Sequence, residues 1–315
     1  MSARGDMPSD RSGSALTLPA EDDFWRLHCA GVCDALVRAA LQEDLGSTGD
    51  ITTATVAQVR GIEFRSDARI VAREPGVVCG VRAAQAVCSQ LGAAFEPRCA
   101  DGDAIRAGSS VARVHGPPGA VLAAERTLLN ILGLLSGTAT LTRMHADRVA
   151  GTRACVMDTR KTVPGMRALQ KHAVLCGGGV PHRMGLHDAF LAKDNHLAGL
   201  DPAGIAALVR ACSAPARARG AHFIECEVDS LEQLDALLRL ERGILDIALL
   251  DNFGTDALRE AVARRDRVAP HLALEASGGI TLDTVSDVAR TGVDRISVGA
   301  LTHSVRSLDF GLDAS

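Results

Sequence analysis

Between Gly151 and the C-terminus, six short apolar runs each give way to polar or glycine-rich residues, and this recurrence limits the fold more than any other feature. Ala154–Met157 runs into Asp158-Thr159-Arg160-Lys161, Ala189–Ala192 into Lys193-Asp194-Asn195, and His222–Ile224 into Glu225-Cys226-Glu227. Asp246–Leu250 runs into Asp251-Asn252, Leu272–Leu274 into Glu275-Ala276-Ser277-Gly278-Gly279, and Asp294–Val298 into Gly299-Ala300. Amphipathic stretches such as Ser230–Arg242 and Leu282–Thr291 lie between them. Apolar strands separated by helices predict a parallel sheet covered on both faces. Polar residues at the C-terminal strand ends are where such sheets keep their chemistry. The expectation is an α/β fold, a β/α barrel or a close relative.

The first half reads differently. Met1 to Asp23 mixes Arg, Asp, Ser and Gly with no apolar stretch, which reads as a disordered leader and not a signal peptide. Leu27, Val32, Leu36, Val37, Ala40 and Leu41 recur at helical spacing until the Gly- and Asp-rich segment Glu43–Asp50. From about Thr53 to His115 short strands and turns are expected, with Ala68–Arg73 and Val77–Val81 as a hairpin-like pair across Glu74-Pro75-Gly76. A long helix follows from Ala120 to about Ala150, running between two domains or through a core.

Lys+Arg number 34 against 38 Asp+Glu, a net charge of −4, which argues against general nucleic-acid binding. The most apolar run, Val121–Ser136, is interrupted by Glu125 and Arg126 short of the ~18 residues that span a bilayer, so no membrane partner is expected. Nine cysteines without a C-x-x-C pair, mostly among apolar neighbours, fit a cytoplasmic protein and exclude a disulfide scaffold or zinc ribbon.

Against the acidic total, Asp158–His196 concentrates cations: Arg160, Lys161, Arg167, Lys171, Arg183 and Lys193, with His172, His182, His187 and His196. A solvated charged face is the plain alternative. Arg160, Lys161 and Lys193 follow apolar strands, however, which turns them toward a barrel mouth and a multiply anionic ligand. Ser277-Gly278-Gly279 and Ser297-Val298-Gly299 end consecutive strands, as phosphate-binding loops of barrels do. Glu227 and Asp251 either hold ribose hydroxyls or Mg²⁺, or neutralise Lys161 and Lys193. Cys176-Gly177-Gly178-Gly179 lacks the Lys-Ser/Thr ending of a phosphate loop and is expected to be a mobile loop that lets His182 and Arg183 reach the site. The spacing of Cys176, His182 and His187 is poor for a metal, and His172 and His196 read as structural or surface residues. Arg126, in an apolar helix beside Glu125, either pairs internally or serves a site across an interface.

Several of these segments resemble the signatures of quinolinate phosphoribosyltransferases: Glu43–Gly46 with Gly49–Thr53, Glu125–Asn130, Asp158–Gly165, Gly177–Gly179, His182–Asp188, Lys193–His196, Leu250–Phe253 and Glu275–Ile280. The likeness extends from about Leu41 to Phe310. It implies a mixed α/β N-terminal domain plus an open β/α barrel, of the type II phosphoribosyltransferase-like class. The expected division is a leader at 1–20, an N-terminal domain at 21–135 joined by the tail 303–315, and a barrel at 136–302. The implied activity joins quinolinate to phosphoribosyl pyrophosphate (PRPP) with Mg²⁺ and loss of CO₂, in homodimers or larger assemblies with shared active sites.

By position, Arg126 would reach a quinolinate carboxylate of the neighbouring subunit. Thr159, Arg160, His182, Arg183 and Lys193 would line the dicarboxylate pocket, and Lys161 would contact PRPP. Catalysis would rest on Lys161, Glu227 and Asp251, the last two also holding ribose hydroxyls or Mg²⁺, a cation brought mainly by PRPP. Ser277, Gly278, Gly279, Ser297, Val298 and Gly299 would cradle the 5′-phosphate. The interval from Glu227 to Asp251 is a few residues longer than in the family, in the Leu240–Leu245 turn. The rival readings are a related transferase-like protein of molybdenum-associated operons, a nicotinate-specific transferase, and a non-catalytic phosphate or nucleotide binder.

Overall fold

The computed structural model describes residues 20–61, 67–117 and 119–314. All of the expected leader except the exposed Ala20 lies outside the described residues. α1 (Glu21–Phe24) passes through a π-helical turn, Trp25–Cys29, into α2 (Ala30–Leu45), and together they bury Phe24, Cys29, Cys33, Val37 and Leu41. Here the sequence reading needs its first correction. Ile51 onward is not strand but α3 (Ile51–Arg60), started by Asp50, whose carboxylate accepts the Thr53 N–H at 2.9 Å.

The second correction concerns the hairpin. β1 (Asp67–Ala72) does not pair with β2 (Gly76–Val77), because the run Val77–Val81 breaks at Gly80 and becomes α4 (Val81–Gln90). Asp101 accepts the Gly80 and Val81 N–H groups at 2.8 and 2.9 Å, which caps that helix from a distant turn. β3 (Ala94–Pro97), β4 (Ala104–Ile105) and β5 (Ser110–His115) follow. β2 pairs with β4 in a separate two-stranded sheet.

α5 (Ala120–Val149) is apolar around much of its circumference, and by length and composition alone it could cross a membrane. Its most apolar stretch is 61% buried inside the fold. It is a core helix packed against α4 and the barrel's first helix.

The second half then alternates as expected: β6 (Cys155–Met157), α6 (Arg167–Cys176), β7 (Phe190–Ala192), α7 (Asp194–Leu197), α8 (Pro202–Ala218), β8 (Ile224–Val228) and α9 (Leu231–Leu238). It continues with β9 (Ile247–Asp251), α10 (Thr255–Val268), β10 (Ala273–Ser277), α11 (Val285–Ala289), β11 (Arg295–Ser297), α12 (Ala300–His303) and β12 (Phe310–Ala314). All six apolar runs become strands of one parallel sheet, ordered β6-β11-β10-β9-β8-β7. β6 and β7 are consecutive in the chain yet lie at opposite edges, so the barrel stays open between them. β12 leaves the barrel and pairs antiparallel with β1, completing a sheet of order β12-β1-β5-β3.

The segment leading to β12 crosses α5 at two glycines. Leu308 donates its N–H to the Gly133 carbonyl at 3.0 Å, and any Cβ at Gly137 would collide with the Arg306 carbonyl. Gly→Ala in an open helix stabilises by up to about 1 kcal/mol. At Gly137 the sign inverts: Gly137→Ala is expected to destabilise by about 1–3 kcal/mol in urea unfolding. A stabilised variant would show that the crossing is not held this closely.

Candidate active site

Side chains two apart on a strand share a face. Glu225 and Glu227 therefore share one face of β8, Glu275 and Ser277 one face of β10, and Arg295 and Ser297 one face of β11. In each pair one residue lies inside the barrel and the other nearer its mouth.

At the mouth, Lys193 follows β7 and donates to the Glu227 carboxylate at 2.7 Å. Burial first, then the charge of Glu227, pushes the Asp251 carboxyl above its ordinary value, while Lys193, the Ser277 hydroxyl and Lys161 pull it back. Lys161 follows β6, in a turn where Thr159 Oγ1 accepts its N–H at 3.0 Å and its carbonyl accepts from Thr302 Oγ1 at 2.7 Å. An added Cβ at Gly299 would stand 3.4 Å from Lys161 Cδ. The structure thus gathers Lys161, Lys193, Glu227, Asp251, Ser277 and Gly299 from six strand ends.

Gly278 and Gly279 both have positive φ, +101° and +60°. A side chain at Gly278 would collide with the Asn252 amide, whose own backbone is left-handed at φ 58° and whose N–H donates to the Ser277 carbonyl at 2.8 Å. Two expected phosphate contacts are corrected here. Ser297 is buried and donates its hydroxyl downward to Glu275, and the Val298 N–H is spent on the Met157 carbonyl at 2.9 Å. Neither group faces the mouth free to bind a phosphate.

Arg160, Arg183 and Lys193 line a cleft of about 550 Å³ with His187 and His196. Arg160 Nε is buried without a hydrogen-bond partner among the described residues. Burial, and next the charge of Arg160, hold the Arg183 guanidinium below its ordinary value. Two guanidiniums repelling each other in one cleft are a site awaiting an anion.

The other cations of the segment do different work. Lys171 is fully buried on Asp158 and donates to the His182 carbonyl at 3.1 Å, while Asp158 accepts the His182 N–H at 2.8 Å. The Cys176–Gly179 segment is not the expected mobile loop: Gly177 and Gly179 are buried, and Arg143 donates to the Gly177 and Cys176 carbonyls at 3.0 and 3.4 Å. His196 caps α7 by accepting the Lys193 N–H, and His172 is buried.

His182 is placed more narrowly than expected. Its Nε2 turns into the barrel, 3.2 Å from Glu225 and 3.3 Å from Glu275, and its Nδ1 accepts the Arg183 N–H at 2.7 Å. Burial lowers this imidazole, but Glu275 and Glu225 outweigh it and raise the pKa to about 10. The Nδ1 contact opposes them, since only a ring without a proton at that nitrogen can accept. His182 is the floor that sets the Arg183 backbone. Arg295 completes the buried group with a 2.6 Å bond from Nε to Glu275. Sequence reasoning missed Glu225, Glu275 and Arg295 as a network; charged residues two positions below mouth residues, within apolar strands, were the available signal.

Arg126 is exposed on α5 and lies not in this cleft but in a second one of about 380 Å³, with Asn130 and Ser307–Phe310. It has no ion pair among the described residues.

Comparison with known proteins bears on the whole chain. Residues 50–136 match a family model described as quinolinate phosphoribosyl transferase, N-terminal domain, and residues 138–313 match the corresponding C-terminal domain. A nicotinate-nucleotide pyrophosphorylase (carboxylating) of Mycobacterium leprae (strain TN) is 45% identical over 281 residues, spanning 88% of this chain and 95% of that protein. A probable nicotinate-nucleotide pyrophosphorylase (carboxylating) of Bacillus subtilis (strain 168) is 36% identical, spanning 87% of this chain and 90% of its own length. The solved nicotinate-nucleotide pyrophosphorylase from Francisella tularensis superposes with a TM-score of 0.80 at 33% identity, covering 90% of this chain and 96% of that one.

Proposed function

The chain belongs to the quinolinate phosphoribosyltransferase family, and from that premise we propose how its barrel mouth divides the work. The protein is an enzyme that transfers the phosphoribosyl group of PRPP to quinolinate with decarboxylation, giving nicotinate mononucleotide, pyrophosphate and CO₂ in de novo NAD biosynthesis. The observation that carries the assignment of roles is the pair of guanidiniums, Arg160 and Arg183, beside Lys193 and next to the carboxylates Glu227 and Asp251.

Arg160, Arg183 and Lys193 take the two quinolinate carboxylates, with Thr159 fixing the turn and His182 fixing Arg183 from below. Ser277, Gly278, Gly279 and Gly299 receive the 5′-phosphate. In the transfer, the C1′–O bond to pyrophosphate breaks and a bond from C1′ to the pyridine nitrogen forms. Glu227 and Asp251 stabilise the positive charge that develops on the ribose, and Lys161 stabilises the departing pyrophosphate. The quaternised ring then accepts the electron pair of the C–COO⁻ bond as CO₂ leaves, and the ring carbon takes a proton. No covalent enzyme intermediate is required. The hard oxygen donors Glu227 and Asp251 suit Mg²⁺, which would neutralise phosphate charge when carried in by PRPP.

Arg126, exposed and without an ion pair among the described residues, supports a homodimer or larger assembly in which it enters a neighbour's dicarboxylate pocket. The buried cysteines support a cytoplasmic location. We divide the chain within α5, near residue 135, with 303–314 returning to the N-terminal sheet.

Lys161→Ala is expected to lower turnover about a hundredfold at saturating substrates; unchanged turnover would remove Lys161 from the mechanism. For the reaction as a whole, Mg²⁺ and PRPP are incubated with quinolinate or nicotinate, following mononucleotide and CO₂ together. The expected result is equimolar mononucleotide and CO₂ from quinolinate alone. Product from nicotinate without CO₂ would mean a pocket that reads one carboxylate. No product from either, with PRPP bound, would leave a binding protein.

A further inference from the structure

Away from the barrel mouth, three side chains with no part in this chemistry converge in the core. His172 and Cys176 are four apart on α6, hence on one face, and Cys79 stands just ahead of α4. Cys176 thus meets neither His182 nor His187 but two residues from elsewhere in the chain. Cys79 Sγ lies 3.6 Å from Cys176 Sγ and 3.6 Å from His172 Nδ1, and Cys176 Sγ lies 3.7 Å from the same nitrogen. The imidazole Nε2 is 3.9 Å from Cys176 Sγ, which therefore sits nearly equidistant from the two ring nitrogens.

These separations can be compared with a metal's requirement. Tetrahedral zinc, with Zn–S about 2.3 Å and Zn–N about 2.0–2.1 Å, places two sulfurs about 3.8 Å apart and each sulfur about 3.6 Å from the nitrogen. The observed triangle matches one face of that tetrahedron within about 0.2 Å.

The donors are also held and dry. Cys79, His172 and Cys176 are 0%, 2% and 3% exposed. Ser136 clamps the Cys79 backbone from both sides, accepting its N–H at 2.9 Å and donating to its carbonyl at 3.1 Å. Trp25 stands edge-on to the His172 ring at 5.0 Å.

Asp101 and Glu21 carry carboxylates beside this triangle, Glu21 bonded to Cys176, and neither belongs to the set of donor atoms that lie within 4.8 Å of one another. Asp101 uses Oδ1 to cap α4, while its Oδ2 is buried with no hydrogen-bond partner among the described residues. The turn that carries it packs on Cys176, since a Cβ at Gly102 would lie 3.6 Å from the Cys176 carbonyl. We propose that Cys79, His172 and Cys176 form a structural site for a zinc-class divalent cation that ties the start of α4 to α6, the Asp101 carboxylate moving in as fourth ligand when the cation binds.

The test uses the full-length wild-type protein, expressed with zinc in the medium and analysed for metal. About one zinc per chain is expected. Stripped of metal and titrated with Co²⁺, the folded protein should show tetrahedral d–d bands and a thiolate-to-cobalt charge-transfer band, with thiol protons released on binding. Cys79→Ser should abolish the charge-transfer contribution of that sulfur and weaken affinity at least tenfold, and Asp101→Asn should shift the d–d bands. Three results would overturn the site: no zinc and no thiolate–cobalt band in wild type, a mass 2 Da low that reports a Cys79–Cys176 disulfide, or an unchanged cobalt spectrum in Cys79→Ser. An unchanged spectrum in Asp101→Asn would overturn the carboxylate as fourth ligand.

Discussion

Arg160→Ala is expected to lower kcat/KM for quinolinate about a thousandfold, roughly 4 kcal/mol of lost interaction with a buried carboxylate. The size follows from what the side chain faces. Its Nε is buried without a partner, and Arg183 beside it is already disfavoured as a cation by burial and by Arg160 itself. Neither guanidinium has an ion pair among the described residues, Glu225 and Asp188 acting on Arg183 without bonding it, and on the proposed reading the substrate supplies the counter-ion. Removing Arg160 also relieves Arg183, which should make the variant protein no less stable than wild type. Quinolinate kinetics and thermal unfolding, measured side by side, separate the two effects. A variant that loses stability but keeps its kcat/KM would show Arg160 to be a structural cation.

The second large effect is on stability and comes from Glu275. Arg295 donates to it at 2.6 Å, Ser297 donates to it as well, and His182 faces it at 3.3 Å, all within the barrel. Glu275→Ala leaves Arg295 buried without its partner, and the expected cost is about 3–5 kcal/mol. Burial alone would raise the Glu275 carboxyl, but His182 and Arg295 outweigh it and hold it well below its ordinary value. A carboxyl lowered on folding contributes stability that is present above its unfolded range, near pH 4–5, and is lost as pH falls. Wild type should therefore lose stability on acidification more steeply than Glu275→Ala. Urea midpoints between pH 6 and pH 2 that run parallel for the two proteins would contradict this.

The barrel was legible in the sequence because its strands are largely apolar and give way to polar residues; the six runs mark the six strands, although β8 begins only at Ile224, the last residue of its run, and continues through Glu225–Val228. Mouth residues such as Lys193, Glu227 and Asp251 were legible for the same reason, since a strand end fixes where its next side chain points. Residues 51–90 were harder. α3 buries none of its own residues and shows no apolar period, and its start depends on one capping carboxylate, Asp50. α4 begins inside an apolar run, and its capping group, Asp101, comes from a distant turn. Ser297 and Val298 were misread because strand ends give direction but not level: one residue short of the mouth, a hydroxyl turns inward and an N–H stays in the ladder. The direction of the His182 imidazole depends on Glu225 and Glu275 together, a pairing that only the folded sheet creates.

The return of β12 to β1 has a bearing on synthesis. β1 lies between β5 and β12, and Ala72 pairs with Phe310. On a ribosome making about 5–20 residues per second, β1 waits roughly 10–50 s for that partner, with one backbone edge open while the barrel is made. The barrel strands are all made before β12, but the sheet that precedes them in the chain cannot finish first. Nascent chains should therefore be most prone to mispairing along β1, and a bulky fusion placed directly after Ala314 would act on the N-terminal sheet rather than on the barrel next to it in sequence.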